Sequence, residues 1–182
     1  MLYLVAAVVF VGLLCLLDLV LTVGLVRRLR QHTELLNERS NRQGSHAGEV
    51  MTAVGTAPQE FTATTIDGEA ITRDSLTTST LVGFIAPGCK PCRAEFPHFL
   101  RAAAEHPGGR EHVLAVVSDG PGSAEYAAQL KEVARVVVEA PDGVVTTAFS
   151  VRGVPAFGLL GAGTAVTAAA VHFADLPAAV PA

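Results

Sequence analysis

Residues 80–97 read TLVGFIAPGCKPCRAEFP, and the change of chemistry within that stretch decides the fold. Its first half, TLVGFIA, is a continuous apolar run of strand length halted by Pro87-Gly88, the pattern of a strand buried on both faces. Its second half begins CRAEFPHFLRAAAEH (residues 92–106), where Phe96, Phe99 and Leu100 recur at helical spacing among polar Arg93, Glu95 and Arg101. At the junction stands Cys89-Lys90-Pro91-Cys92. Two cysteines at this spacing can close a small disulfide across a first helical turn, where unpaired N–H groups favour negative charge on the first sulfur. Lys90 adds a positive charge, and Pro91 fixes φ where no N–H partner is needed, which stiffens the segment between the sulfurs. A dithiol that cycles with a disulfide needs these properties. A C-x-x-C between a buried strand and a helix signals such a dithiol far more specifically than the spacing alone.

The chain on either side continues the alternation. Upstream, EFTATTIDGEAIT (residues 60–72) has short β-prone runs around Asp67-Gly68, a hairpin turn signal. Downstream, HVLAVVS is a second buried-strand run, and SAEYAAQLKEVA an amphipathic helix with Ser123 as the expected N-cap. ARVVVEA predicts a third strand, and residues 142–149 a helical turn. PAFGLL and TAVTAAAV then predict an antiparallel pair around Gly161-Ala162-Gly163, leaving DLPAAVPA room for only a short last helix. Strands alternating with helices, closed by a hairpin, predict an α/β sandwich of three layers.

Composition bounds what such a domain can do. Of 182 residues, 50% are apolar and 16% charged, and the mean hydropathy is +0.43. That excess is concentrated in LVAAVVFVGLLCLLDLVLTVGLV (residues 4–26), 23 residues in which only Asp18 is charged. About 20 residues cross a bilayer core. Nothing basic precedes the run and it ends in Arg27, Arg28 and Arg30, which is unlike a cleaved signal peptide. The expected organisation is a transmembrane anchor over residues 1–26, a juxtamembrane helix over 27–40, a linker over 41–57, and the α/β domain over 58–182. From residue 43 onward eight basic side chains face fourteen acidic ones, a poor match for nucleic acid. Three cysteines cannot build a disulfide scaffold, and the apolar content is too high for disorder. Within the span, Cys15, Asp18 and Thr22 recur at i, i+3 and i+7, a polar stripe on one helix face. Such a stripe is expected to meet a membrane partner, one that supplies or takes electrons, as well as the lipid bilayer.

The stretch FIAPGCKPCRAEFP resembles the active-site signature of thioredoxin-like proteins, most of all the membrane-anchored TlpA/ResA group. Pro97, five residues after Cys92, matches the helix proline of thioredoxins, and Glu95 matches an acid that lies near the dithiol in ResA-like proteins. Val151-Arg152-Gly153-Val154-Pro155 resembles the segment bearing the cis-proline that faces the disulfide, and EFTATTIDGEAIT is similar to the N-terminal hairpin of this group. The resemblance covers residues 57–175; the anchor and its Arg-bearing flank also resemble MauD accessory proteins of methylamine dehydrogenase maturation.

It implies a thioredoxin-like sandwich with an N-terminal β-hairpin and a thiol–disulfide oxidoreductase acting on disulfide-bearing proteins during their maturation. In that reading Cys89 attacks, Cys92 resolves, and Lys90, Pro91, Glu95, Val154 and Pro155 support them, with a cis Val154–Pro155 bond. No cofactor or metal is implied, because the dithiol is itself the redox group. The resemblance implies an extracytoplasmic domain, whereas Arg27, Arg28 and Arg30 argue for the cytoplasm.

Three departures stand out. Gly88 replaces the usual Trp before the first cysteine, Lys90 the Gly after it, and Gly83 the buried acid that takes the second thiol's proton. Other readings of the Cys pair are a zinc half-site with His98, a non-enzymatic membrane adaptor or metallochaperone, and a peroxiredoxin-like peroxide reductase. The remaining histidines, His32, His46, His106, His112 and His172, show no ligand or triad spacing and read as surface or loop residues.

Overall fold

Alternation along residues 81–85 builds a sheet with two apolar faces. The computed structural model describes residue 10, residues 50–76 and residues 79–177. The chain divides into two units, Met1–Ser45 and His46–Ala182, and the fold belongs to the second. The anchor apart from Phe10, the juxtamembrane helix, Cys15, Asp18, Thr22, Arg27, Arg28 and Arg30 lie outside the described residues. Among the described residues no helix is long and apolar enough to cross a membrane.

In chain order the elements are β1 (Thr62–Thr64), β2 (Ala70–Thr72), β3 (Leu81–Ile85), α1 (Lys90–Ala104), β4 (Val113–Ser118) and α2 (Ser123–Leu130). There follow β5 (Arg135–Glu139), α3 (Val144–Ala148), β6 (Ala156–Leu160) and β7 (Val166–Ala170). The main sheet runs β5-β4-β3-β6-β7. Its β3, β4 and β5 are parallel, and β6 and β7 are added antiparallel. Parallel neighbours need crossovers, which α1 and α2 supply. The hairpin β1–β2 is a separate two-stranded sheet turning at Gly68, whose φ of +82° suits glycine.

Successive strand residues point to opposite faces, so β3 splits its side chains. Leu81 and Ile85 join Cys92, Phe96 and Phe99 of α1 and Leu130 of α2 on one face. Val82 and Phe84 join Val145, Ala148 and Phe149, with Phe61 and Ile71 of the hairpin, on the other. Helices and hairpin thus sandwich the sheet in the three layers expected from the alternation.

Local chemistry fixes several junctions. The first amides of α3 are capped from the end of β5: Val145 N–H donates to Glu139 Oε2 (3.0 Å) and Thr146 N–H to Oε1 (2.7 Å). Pro97 sits inside α1 and leaves the Arg93 carbonyl without its helical donor.

Two expectations are corrected. Ser123 is the first residue of α2, and the cap is Gly122 at φ +91°. A side chain there would be strained, and its Cβ would stand 3.2 Å from Pro87. Ser123 is buried, and its hydroxyl turns to Asp119 Oδ1 (3.3 Å) instead of the helix amides.

Residues 50–57, expected as the end of the linker, are part of the domain. Met51 is buried, Thr52 N–H donates to the Phe149 carbonyl (2.7 Å), and Val166 N–H donates to Thr56 (3.0 Å). The segment lacks apolar periodicity because it packs through single residues and main-chain bonds. After β7 the described chain forms a 3-10 turn, Phe173–Asp175, and most of the tail expected to hold a short last helix, residues 178–182, lies outside the described residues.

Candidate active site

The site forms where the sheet ends and α1 begins. β3 stops at Ile85, Pro87-Gly88 turns the chain, and Cys89 enters as the cap of α1 in an extended conformation (φ −85°, ψ 121°). Its sulfur accepts the Cys92 N–H at 3.2 Å, satisfying one of the orphan donors of a helix start. Sulfur thus does here what a Ser or Asp oxygen does at other helix caps.

The two cysteines differ in access. Both are free thiols; Cys89 is half-buried and Cys92 fully buried. Burial pushes the Cys92 thiol up to about 12, with the neighbouring Cys89 sulfur adding to the effect. Nucleophilic attack needs thiolate and access, and Cys92 lacks both until something changes around it. In the reduced protein, iodoacetamide at pH 8 is expected to modify Cys89 at least about tenfold faster than Cys92. Mass spectrometry of the labelled peptides checks this; equal labelling would contradict the asymmetry.

Opposite the dithiol lies the 151–155 loop. The Val154–Pro155 bond is cis, as the resemblance implies, and the Cys89 thiol donates to the Val154 carbonyl at 3.5 Å. Val154 also packs against both apolar faces. A third loop closes the neighbourhood, since Gly122 abuts Pro87. The structure therefore brings Cys89, Cys92, Lys90, Pro91, Val154 and Pro155 together. Lys90 is exposed and Pro91 half-buried in the first turn of α1.

Glu95 is placed differently from its expected role beside the thiols. Its side chain is only 15% exposed, and its carboxylate takes His172 Nδ1 at 2.9 Å and the Phe173 N–H at 3.0 Å. Burial raises its carboxyl, but the His172 bond, the Phe173 amide and the His172 and His98 charges outweigh that and hold it below the ordinary value near 4.5. Glu95 thereby fastens the segment after β7 to α1, seating Phe173 against Phe99 and Phe157. His172, read from sequence as a surface or loop residue, is half of this latch. No sequence signal links positions 77 residues apart.

A depressed carboxyl stabilises the fold above its ordinary value, and that stability is lost as pH falls through the lower folded value. Glu95→Gln is expected to cost about 1 kcal/mol at pH 7. The gap to wild type should close as pH falls below about 4.5. Thermal melts of both proteins between pH 3 and 7 check this; a gap that does not change with pH would show that the charge is irrelevant.

The missing acid of the second thiol also finds a physical reason. A Cβ on Gly83 would lie 2.6 Å from two ring carbons of Phe99. An aromatic ring fills the volume in which a carboxylate would stand, so Cys92 has apolar neighbours on this side. His98, the third residue of the possible zinc half-site, is exposed on α1. Among the described residues no group of three or more His, Cys, Asp and Glu side chains could hold a metal ion.

No protein-family profile matches the chain, and no curated protein does. Solved structures do. The thioredoxin domain of a thiol–disulfide oxidoreductase from Bacteroides vulgatus superposes with a TM-score of 0.55 at 21% identity, over 68% of this chain and 92% of that one. A thiol:disulfide interchange protein from a Bacteroides species gives 0.52 at 20% identity, over 69% and 83%. A secreted disulfide oxidoreductase of Mycobacterium tuberculosis gives 0.50 at 25% identity, over 67% and 87%. Element order, the mixed sheet and these superpositions agree: the second unit of the chain has a thioredoxin-like fold.

Proposed function

We propose that the protein is a thiol–disulfide oxidoreductase whose redox group is the Cys89/Cys92 dithiol and whose substrates are disulfide-bearing proteins. The observation that carries this reading is the unequal pair: an accessible sulfur capping α1 in front of a buried one. In the reducing direction the Cys89 thiolate attacks one sulfur of a partner disulfide. A Cys89–partner S–S bond forms, and the second partner sulfur leaves as a thiolate. Cys92 then loses its proton and attacks Cys89, closing the Cys89–Cys92 disulfide and releasing the first partner thiol. Two electrons pass to the partner, and the reverse sequence oxidises it. The Val154 carbonyl, in contact with the Cys89 thiol, offers a main-chain acceptor beside the reacting sulfur, of the kind that strand-like docking of a partner segment uses.

The test is stoichiometric. Reduced full-length protein mixed with a disulfide-looped peptide should lose two thiols for every two the peptide gains. No exchange, together with metal that copurifies in proportion to protein, would favour the metallochaperone reading instead.

We further propose that residues 4–26 tether this domain to a bilayer and that the domain lies outside the cytoplasm. The length and apolarity of that run support the tether. The resemblance to TlpA/ResA proteins supports the location, as does the description of the similar Mycobacterium tuberculosis protein as secreted. A reporter active on only one side of the membrane, fused after Ala182, decides the location.

A further inference from the structure

We propose that the dithiol face recognises acidic residues flanking the partner's disulfide, through Arg93 and Arg152 with Lys90 between the cysteines. This rests on the oxidoreductase reading and adds the chemistry of its substrate. The domain is acidic, so where its cations stand is informative. Among its eight basic side chains, Arg73 pairs with Glu60 and Asp74, and Arg110 with Asp67 and Glu111. Lys131 pairs with Glu132, and buried Arg135 lies 3.9 Å from Glu69. Four cations have no carboxylate partner among the described residues: Lys90, Arg93, Arg101 and Arg152. Three of those four border the dithiol.

Their placement is set by three elements. Lys90 is exposed between the two cysteines. Arg93, exposed, follows Cys92 on α1. It shares the surroundings of Tyr126 with the sulfurs and with Glu125, because burial, both cysteines and the Glu125 charge raise that phenol while the Arg93 charge lowers it. Arg152, exposed, comes two residues before Val154, whose carbonyl touches Cys89, so its Cα lies within about 8 Å of the Val154 Cα.

The surface between these charges is bare. Gly88 and Gly153 are exposed, and a Cβ at either would meet nothing within 4 Å. Neither has the positive φ that demands glycine. A partner backbone can therefore approach the sulfur closely, bringing its flanking side chains level with the cations. Unpaired cations around an open nucleophile attract anions, steer encounter and penalise like charge.

The test uses three disulfide-looped peptides that differ only in two flanking residues: Asp-Asp, Asn-Asn or Lys-Lys. Second-order rate constants for their reaction with reduced full-length protein are measured at 20 and 300 mM salt. At low salt the Asp peptide should react roughly five- to tenfold faster than the Asn peptide, and the Lys peptide slower than both. High salt should compress the series. In Arg93→Gln/Arg152→Gln the Asp-to-Asn ratio, read within the variant, should fall below about twofold, whereas Arg101→Gln, about 12 Å beyond Arg93 along α1, should keep it. Equal rates for the three peptides in wild type, with reaction preserved, would overturn this recognition and leave the oxidoreductase reading standing. No reaction with any peptide, nor with the uncharged bis(2-hydroxyethyl) disulfide, would overturn both.

Discussion

Replacing Cys89 by Ser reduces disulfide exchange to the uncatalysed level, while replacing Cys92 by Ser leaves the first attack and stops the reaction there, with the partner attached. The first outcome follows because a hydroxyl in the capping position keeps the hydrogen bond to the Cys92 N–H but offers no sulfur to attack. The second follows from burial. Cys92 is fully buried one turn into α1, so its task is to reach the Cys89 sulfur from behind after a mixed disulfide has formed. Without it the mixed disulfide has no internal route to resolution. The check is a non-reducing gel of Cys92→Ser incubated with a disulfide partner, in which the covalent adduct should vanish on adding reductant. Adducts that accumulate in Cys89→Ser instead would reverse the roles. A small disulfide should show the same asymmetry, since it depends on the sulfurs alone.

The pH dependence of the second step carries the same logic. Burial, the largest cause of the raised Cys92 thiol, persists in the mixed disulfide while the contributions of the Cys89 thiol do not, so resolution should quicken with rising pH beyond the range of an ordinary thiol.

How much of this was legible before the structure depends on the range of the interaction. The β3–α1 junction, the order of strands and helices and the Cys pair were read from local patterns: an apolar run, a turn, a helical period. The main sheet and its two faces follow from those patterns because each strand residue must pack somewhere, and period two assigns the face. The N-terminal hairpin was also read locally, from the Asp67-Gly68 turn signal, whereas the cis Val154–Pro155 bond was reached through resemblance, since no local pattern says which face of the dithiol it will meet. Three things stayed hidden. Residues 50–57 carry no periodicity, although they bond to the C-terminal end of α3 and to β7. Ser123 looked like a cap because serine usually is one, but the left-handed turn at Gly122 took that place. The Glu95–His172 latch joins α1 to the chain beyond β7 and has no local signature.

Gly83→Ala should destabilise the domain by about 2 kcal/mol although it adds one methyl group. The position lies in the centre of β3, paired with Ala115 of β4 and Phe157 of β6, so the strand cannot slide away. The added carbon would stand 2.6 Å from two carbons of the Phe99 ring, well inside contact distance. That ring is fully buried and packed against Phe157 (centroids 5.5 Å) and Phe173 (6.3 Å), so it has nowhere to yield. Gly83→Asp should cost more, because it adds the same clash and a carboxylate with no polar partner in an apolar layer. Urea unfolding gives the ordering wild type, then Ala, then Asp. Alkylation of Cys89 at pH 8 supplies the control, since a folded Gly83→Ala protein should label at the wild-type rate. The double variant Gly83→Ala/Phe99→Leu separates the clash from any strand effect of alanine: with a smaller side chain opposite, the added methyl should cost less than it does alone. Equal costs in both backgrounds would mean that Phe99 is not what keeps position 83 a glycine. A shortfall in the double variant would tie the absence of an acid behind Cys92 to the aromatic layer that holds α1 on the sheet.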